Sequence, residues 1–145
     1  MDIRINEDPA CGEPEIVIRC REMDERVVRM IAALRAAEQK LAGVRDGRTF
    51  VVDPAEVYYA ESVDKRTFLY TADAVYESPL RLYEMEERFG AGDFFRASKS
   101  AVVNLARVKS LSPMLGGKIE VLLENNERLM VSRQYVPGLR QKLGI

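Results

Sequence analysis

The side chains best suited to chemistry lie in one short stretch, FFRASKSAVVNLARVKSL, at residues 94–111. This stretch carries four basic side chains and no acidic one. Ser98, Lys99 and Ser100 stand side by side within it, among aromatic and aliphatic residues typical of a core. Ammonium, guanidinium and hydroxyl groups donate hydrogen bonds to anions. The pattern therefore predicts a surface that binds an anion, held in place by its apolar neighbours.

The net charge of the whole chain does not reveal this basic segment, because acidic residues elsewhere offset it. The formal net charge is −1 over 145 residues, yet residues 94–145 hold 9 Lys or Arg and only 3 Asp or Glu. Residues 47–93 hold 5 basic and 10 acidic side chains. A local basic surface can bind polyanions such as nucleic acid even when total charge is near zero. The alternative is that ion pairs to the acidic middle segment neutralise the basic one.

We find no sequence pattern for catalysis. Histidine is absent, which removes the commonest general base and metal ligand, and no phosphate-binding glycine motif or nucleophile elbow occurs. Cys11 and Cys20 are too few for a zinc site and are expected to be free structural thiols. We therefore predict no enzyme activity, metal or cofactor. With no membrane-length apolar run and no signal peptide, we expect a cytoplasmic protein.

The first 46 residues predict a strand and a helix. The alternation in EIVIRC, residues 15–20, is typical of a strand. Over residues 24–42, apolar residues recur every three or four positions, including Val27, Leu34 and Ala37, and Gly43 suits a helix C-cap. The apolar side of this helix predicts packing, either on its own domain or on a second copy in a homodimer.

The remaining residues, 47–145, predict a second unit built mainly from strands, beginning after the turn signal RDGRT. Tyr-, Phe- and Val-rich runs are typical of strands, and we expect them at TFVVD, EVYYAES, RTFLYTA, AVYES, RVKSLSPML, KIEVLLE and ERLMVS. A helix is expected over residues 78–90, capped by Ser78 and ended by Gly90, and another near Pro137. Asn125 and Asn126 predict a hairpin turn. The fold class is therefore mainly β with short helices.

Several of these segments together resemble the LytTR DNA-binding domain. VYYAESVDKRTFLYT, FFRASKSAVVNLARVKSL and LMVSRQYV occur in the family's order and spacing, and the resemblance runs from about residue 49 to residue 143. It implies small antiparallel sheets with short helices, in a bacterial protein that binds double-stranded DNA. It also implies that loops at the sheet edges enter successive major grooves.

The resemblance further implies three groups of DNA-binding residues. Ser98, Lys99 and Ser100 would lie at an exposed turn entering a short helix, whose N-terminus favours a phosphate. Arg133 would suit a guanine edge, with Gln134 beside it reaching a base or a phosphate. Lys65 and Arg66 would contact a groove or a phosphate.

Two further polar residues, Arg96 and Asn104, lie near the first group in the sequence. Arg96 suits either a DNA contact or a structural role, and the sequence does not decide between them. Asn104 is expected to stabilise the local turn.

One feature departs from the common layout of the family. Residues 1–46 leave no room for a receiver domain, so we expect a stand-alone transcription regulator without phosphorylation control. The helix at 24–42 is then expected to form a homodimer, and a membrane-protein partner is conceivable for such regulators. The alternative function is a protein-interaction module, an adaptor or anti-activator with the same fold that does not bind DNA.

Overall fold

The computed structural model covers residues 1–145 and describes every side chain except those of residues 36–38. Residues 1–24 contain no helix and no strand. The strand expected over residues 15–20 is therefore wrong. Ile16 is 67% exposed because no neighbouring strand pairs with this segment. Alternating hydrophobicity alone does not form a strand when no neighbouring strand is present to pair with it. Cys11 and Cys20 are free, as expected, but both are exposed, so the structural role expected for them is wrong.

The first helix, α1, spans Glu25–Glu38. It begins where the Asp24 carboxylate accepts a hydrogen bond from the Val27 backbone N–H at 2.9 Å. The helix ends four residues earlier than expected, because Leu41 is already buried in a strand. Gly43 also lies in that strand and does not cap the helix. A β-carbon added at Gly43 would lie 2.6 Å from Cβ of Tyr76, so the strand needs glycine here. Ala37 was expected on the apolar side of this helix, but its side chain is outside the part of the chain that the structure describes.

Seven antiparallel strands form the larger sheet, in the order β2-β1-β5-β4-β3-β7-β6. The strands are β1 (Leu41–Arg45), β2 (Arg48–Val52), β3 (Val57–Val63), β4 (Arg66–Thr71), β5 (Val75–Ser78), β6 (Phe94–Ser98) and β7 (Ala101–Asn104). The turn between β1 and β2 places Asp46 and Gly47 at positive φ, as the turn signal predicts. Strand β1 joins this sheet although it precedes the expected boundary at residue 46, and that division of the chain stays a prediction.

The smaller sheet has three antiparallel strands in the order β10-β9-β8. They are β8 (Val108–Pro113), β9 (Ile119–Leu123) and β10 (Arg128–Val131). Gly116 and Gly117 turn β8 into β9 with positive φ, and Asn126 does the same between β9 and β10. The runs expected to be strands in residues 47–132 are all confirmed, because their aromatic and β-branched side chains fill the faces of these two sheets.

Two more helices complete the fold: α2 (Leu82–Phe89) and α3 (Val136–Leu143). Helix α2 ends at Gly90 as expected, but it begins four residues after Ser78. Ser78 remains in β5 opposite Thr67, and its hydroxyl accepts from the Leu80 backbone N–H at 3.1 Å, before the helix begins. Instead the Glu84 carboxylate accepts a hydrogen bond from the Arg81 backbone N–H at 3.1 Å. In the described part of the chain, no helix combines the length and the apolar character needed to cross a membrane.

Two hydrophobic cores hold the sheets and helices together. Helix α2 buries Leu82, Met85 and Phe89 against the larger sheet. Helix α3 and the smaller sheet cover the other core, in which Val131 and Leu139 are fully buried. The Ser132 backbone N–H donates to the Ala97 carbonyl at 2.8 Å and so joins the end of β10 to β6. This junction brings the end of the smaller sheet beside the β6–β7 hairpin. The expected fold class, mainly β with short helices, is confirmed.

Candidate nucleic-acid interface

A tight hairpin turn presents Ser98, Lys99 and Ser100. The turn joins β6 to β7, whose register shifts between Arg96 and Ser98. The expected helix after these residues is wrong: Ala101 to Asn104 form a strand buried along its whole length. Two valines in that strand favour the extended conformation. The Ser98 hydroxyl accepts from the Ser100 backbone N–H at 3.2 Å, which closes the turn.

Arg96 holds this turn in shape from behind. Its Nε donates to the Ser98 carbonyl at 2.6 Å, and its Nη2 donates to the Lys99 carbonyl at 2.7 Å. Its Nη1 forms an ion pair with the Glu86 carboxylate at 2.8 Å, and its side chain is only 19% exposed. All three nitrogen atoms therefore have partners within the protein. The arrangement favours the structural alternative for Arg96.

A second structural element places Arg133 and Gln134. They follow β10 in a short 3-10 turn over Arg133–Tyr135, directly before α3. The aliphatic part of Arg133 lies against the backbone of Gly117, where a β-carbon would come within 3.0 Å of it. Both Arg133 and Gln134 are exposed. The sequence predicted a helix directly after Lys99. The structure instead has a helix, α3, shortly after Arg133.

The two elements meet at an open cleft of about 460 Å³. Its walls carry only hydroxyl, amide and cationic side chains: Ser98, Lys99, Ser100, Ser132, Arg133 and Gln134. We call it the reading cleft. Five of these residues were predicted from sequence, and the structure brings them together from positions more than thirty residues apart. Ser132 was missed, because only the contact between the two sheets places it on the wall.

The third predicted group, Lys65 and Arg66, lies on the β3–β4 hairpin outside the reading cleft. Asp64 and Lys65 adopt positive φ at the turn, which presents Lys65 to solvent. Arg66 forms a two-pronged ion pair with Glu77 of β5, with nitrogen–oxygen distances of 2.9 and 2.6 Å. These hydrogen bonds lower the pKa of the Glu77 carboxyl, so the pair stays charged to a lower pH than a free carboxyl would allow. The charge of Arg66 is therefore offset by a neighbouring strand.

Asn104 has the local structural role that the sequence predicts. It is 1% exposed. Its amide Nδ2 donates to the Val57 carbonyl at 2.8 Å, and its Oδ1 accepts from the Ala106 backbone N–H at 3.0 Å. These bonds secure the chain directly after β7. They fix the strand that carries the 98–100 turn.

An antiparallel β domain with cations and hydroxyl groups around an open cleft is the arrangement expected of the class of protein that binds polyanions. Comparison with protein families narrows that class. The model of the LytTr DNA-binding domain matches residues 47–144. The chain belongs to the LytTr DNA-binding domain family, which the resemblance in its sequence predicted.

Known structures and proteins agree with this assignment. A solved LytTr DNA-binding domain from Bacillus cereus superposes with a TM-score of 0.71 at 24% identity, covering 74% of this chain and 99% of that one. That likeness concerns the fold. The transcriptional regulatory protein YpdB of Escherichia coli K12 is 31% identical over 99 residues, or 68% of this chain and 41% of that protein.

Two further bacterial relatives differ in length. The sensory transduction protein LytT of Enterococcus faecalis is 22% identical over 86% of this chain and 52% of its own. The present chain thus spans about half or less of LytT and YpdB. An uncharacterized HTH-type transcriptional regulator of Staphylococcus aureus is 26% identical over 92% of this chain and 91% of its own length.

Proposed function

We propose that this protein is a transcription regulator that binds double-stranded DNA sequence-specifically through the reading cleft. The observation that carries the proposal is the convergence of Lys99 and Arg133, from two different sheets, in one open cleft without an acidic wall residue. The DNA would lie in the cytoplasm of a bacterium, as the bacterial relatives suggest. The Staphylococcus aureus relative of similar length, named as a transcriptional regulator, supports the role in transcription.

The side chains of the cleft suit two kinds of DNA contact. The Arg133 guanidinium can pair with O6 and N7 of guanine, and the Gln134 amide can pair with adenine in a major groove. The hydroxyl groups of Ser98, Ser100 and Ser132 and the Lys99 ammonium suit phosphate oxygens. In this account Arg96 positions the turn without touching DNA.

The proposal is tested by selection and titration of the wild-type protein. A random duplex pool would be enriched on the immobilised protein, and the preferred duplex titrated by fluorescence anisotropy against a scrambled duplex of equal length. We expect at least 100-fold preference for the selected duplex, with affinity falling steeply between 50 and 200 mM salt. No enrichment from the pool would refute the proposal and favour the interaction module that does not bind DNA.

The ion pair of Arg66 leads to a prediction about binding strength. We expect Glu77→Gln to raise the affinity for any duplex about 2- to 5-fold, because it releases Arg66 for a phosphate contact. Glu120→Gln is the matched control, since Glu120 pairs with Arg128 on the smaller sheet at 2.6 Å. Anisotropy titrations at 50 mM salt measure both variants. Equal gains in the two variants would show that only total charge matters and that Arg66 has no contact.

A second prediction concerns the homodimer proposed to form through α1. Val27 is buried, but Val28 is 52% and Leu34 is 39% exposed. Exposed apolar side chains on a helix favour association with a second copy. We expect wild-type protein to sediment as a dimer and Leu34→Glu to sediment as a monomer at the same micromolar concentration. Thr49→Glu, an exposed site in β2, controls for the added charge. A monomeric wild-type protein would exclude the dimer.

A membrane-protein partner stays a conjecture of the family resemblance alone. Nothing in the geometry of the described residues adds to it. Its most direct test is to ask whether membranes from the native host retain the purified protein.

A further inference from the structure

A second, smaller cleft lies beside the reading cleft, between the β3–β4 hairpin and the start of α2. Its volume is about 180 Å³. Lys99 lines both clefts and so separates them. Its walls carry four cationic side chains, three hydroxyl groups and one apolar side chain: Lys65, Arg81, Arg96, Lys99, Ser62, Thr67, Tyr83 and Leu82. We call it the side cleft. Arg81 and Tyr83 belong to no motif that the sequence singled out.

The charges around the side cleft leave it positive. None of the ion pairs found among the described residues involves Lys65, Arg81 or Lys99. Arg96 also borders the cleft, but Glu86 offsets its charge. The nearby Glu84 carboxylate accepts from the backbone N–H of Arg81. Three cations without an ion-pair partner around one cleft favour the binding of an anion between them.

The chemistry of the walls selects a phosphate group. Arginine offers a planar pair of N–H donors to phosphate oxygens, and lysine supplies a compact positive charge. Hydroxyl groups of Ser62 and Tyr83 can donate to the remaining oxygens. Such a mixture of donors satisfies a tetrahedral oxyanion from several sides.

The position of the side cleft indicates where the phosphate comes from. Lys65 and Lys99 lie on two of the three loops that the proposed function assigns to DNA. A duplex seated in the reading cleft at Lys99 would carry its backbone past the side cleft. We propose that the side cleft binds a backbone phosphate of the same DNA, with Arg81 and Tyr83 as additional contacts. The inference rests on the proposed function and extends its contact surface to α2.

The first test compares Arg81→Ala with Arg88→Ala, an exposed arginine in the last turn of the same helix. We expect Arg81→Ala to bind selected and scrambled duplexes about 5- to 10-fold more weakly at 50 mM salt. The slope of log affinity against log salt should become shallower by about 0.9. Arg81→Lys should recover most of that slope, and Arg88→Ala should match wild type. Thermal unfolding of each variant confirms that the fold is intact.

The second test locates the phosphate. Single phosphates of the selected duplex are replaced, one at a time, by uncharged methylphosphonates. We expect one position whose replacement weakens wild-type binding about 5-fold but weakens Arg81→Ala binding clearly less, because part of the contact is already lost. If every replacement weakened wild type and Arg81→Ala by the same factor, Arg81 would contact no single phosphate. That result would overturn the proposed role of the side cleft and leave the proposed function intact. A wild-type protein that enriches no duplex would overturn both.

Discussion

Arg133→Ala is expected to weaken binding to the selected duplex by about 10- to 100-fold while changing binding to a scrambled duplex by less than about 5-fold. A two-pronged contact with guanine contributes about 1–3 kcal/mol of discrimination, and the difference between the duplexes isolates that part. The Arg133 side chain is exposed and lies against Gly117, so its loss opens no core. Anisotropy titrations of the purified variant on both duplexes measure the effect.

Two comparisons sharpen this prediction. Arg140→Ala removes an exposed arginine of α3 that lines neither cleft, and it should bind both duplexes like wild type. Replacing guanines of the selected duplex by 7-deazaguanine removes N7 as an acceptor, and one such position should affect wild type but not Arg133→Ala. A uniform loss of affinity on both duplexes would instead make Arg133 a phosphate contact.

Asn104→Ala is expected to lower the free energy of unfolding by about 2–4 kcal/mol. It leaves the buried Val57 carbonyl and the Ala106 backbone N–H without the partners that Asn104 supplies. An unsatisfied buried polar group costs about 1–3 kcal/mol. Urea denaturation followed by circular dichroism measures the change.

Asn125→Ala is the matched control for this stability prediction. Asn125 makes one local hydrogen bond, accepting from the Glu127 backbone N–H at 3.1 Å. Its replacement should cost less than about 1 kcal/mol, because water can take over at a solvent-accessible turn. Equal losses in the two variants would mean that the buried bonds of Asn104 contribute nothing beyond a surface turn.

The strands of this fold could be predicted because their sequences are rich in strand-forming residues and are bounded by turn-forming residues. Val57 and Leu69 are fully buried, and the runs that contain them are rich in tyrosine and phenylalanine. Gly47, Gly116 and Asn126 mark turns at positive φ, which few other residues adopt without strain. These signals are local, and local signals are visible in a sequence.

The errors arose where a distant partner decides the local structure. Residues 15–20 alternate like a strand but have no strand to pair with. Leu41 continues the helical period of α1, yet its pairing with Val52 places it in β1. Ser78 could cap a helix, but Thr67 holds it in β5. Each competing partner lies ten or more residues away and is invisible to periodicity.

The candidate site, too, combines residues visible in the sequence with contacts that depend on distant partners. The resemblance in sequence indicated Lys99 and Arg133, but their meeting across two sheets follows from contacts between the sheets, among them the bond between Ser132 and Ala97 and the shared core. The ion pair between Arg66 and Glu77 depends on the pairing of β4 with β5. Neither partner could be chosen from sequence alone. The role of each predicted residue in DNA binding stays a prediction until binding is measured.

The central claim is that the reading cleft binds DNA sequence-specifically. The most direct measurement is an anisotropy titration of wild type, Lys99→Ala/Arg133→Ala and the control Lys109→Ala/Arg140→Ala. Each is titrated onto selected and scrambled duplexes at 50 and 200 mM salt. We predict that the first double variant loses most of its preference for the selected duplex, while the control retains it with the same loss of charge. Equal preference in both double variants would contradict the claim and place the DNA on another surface.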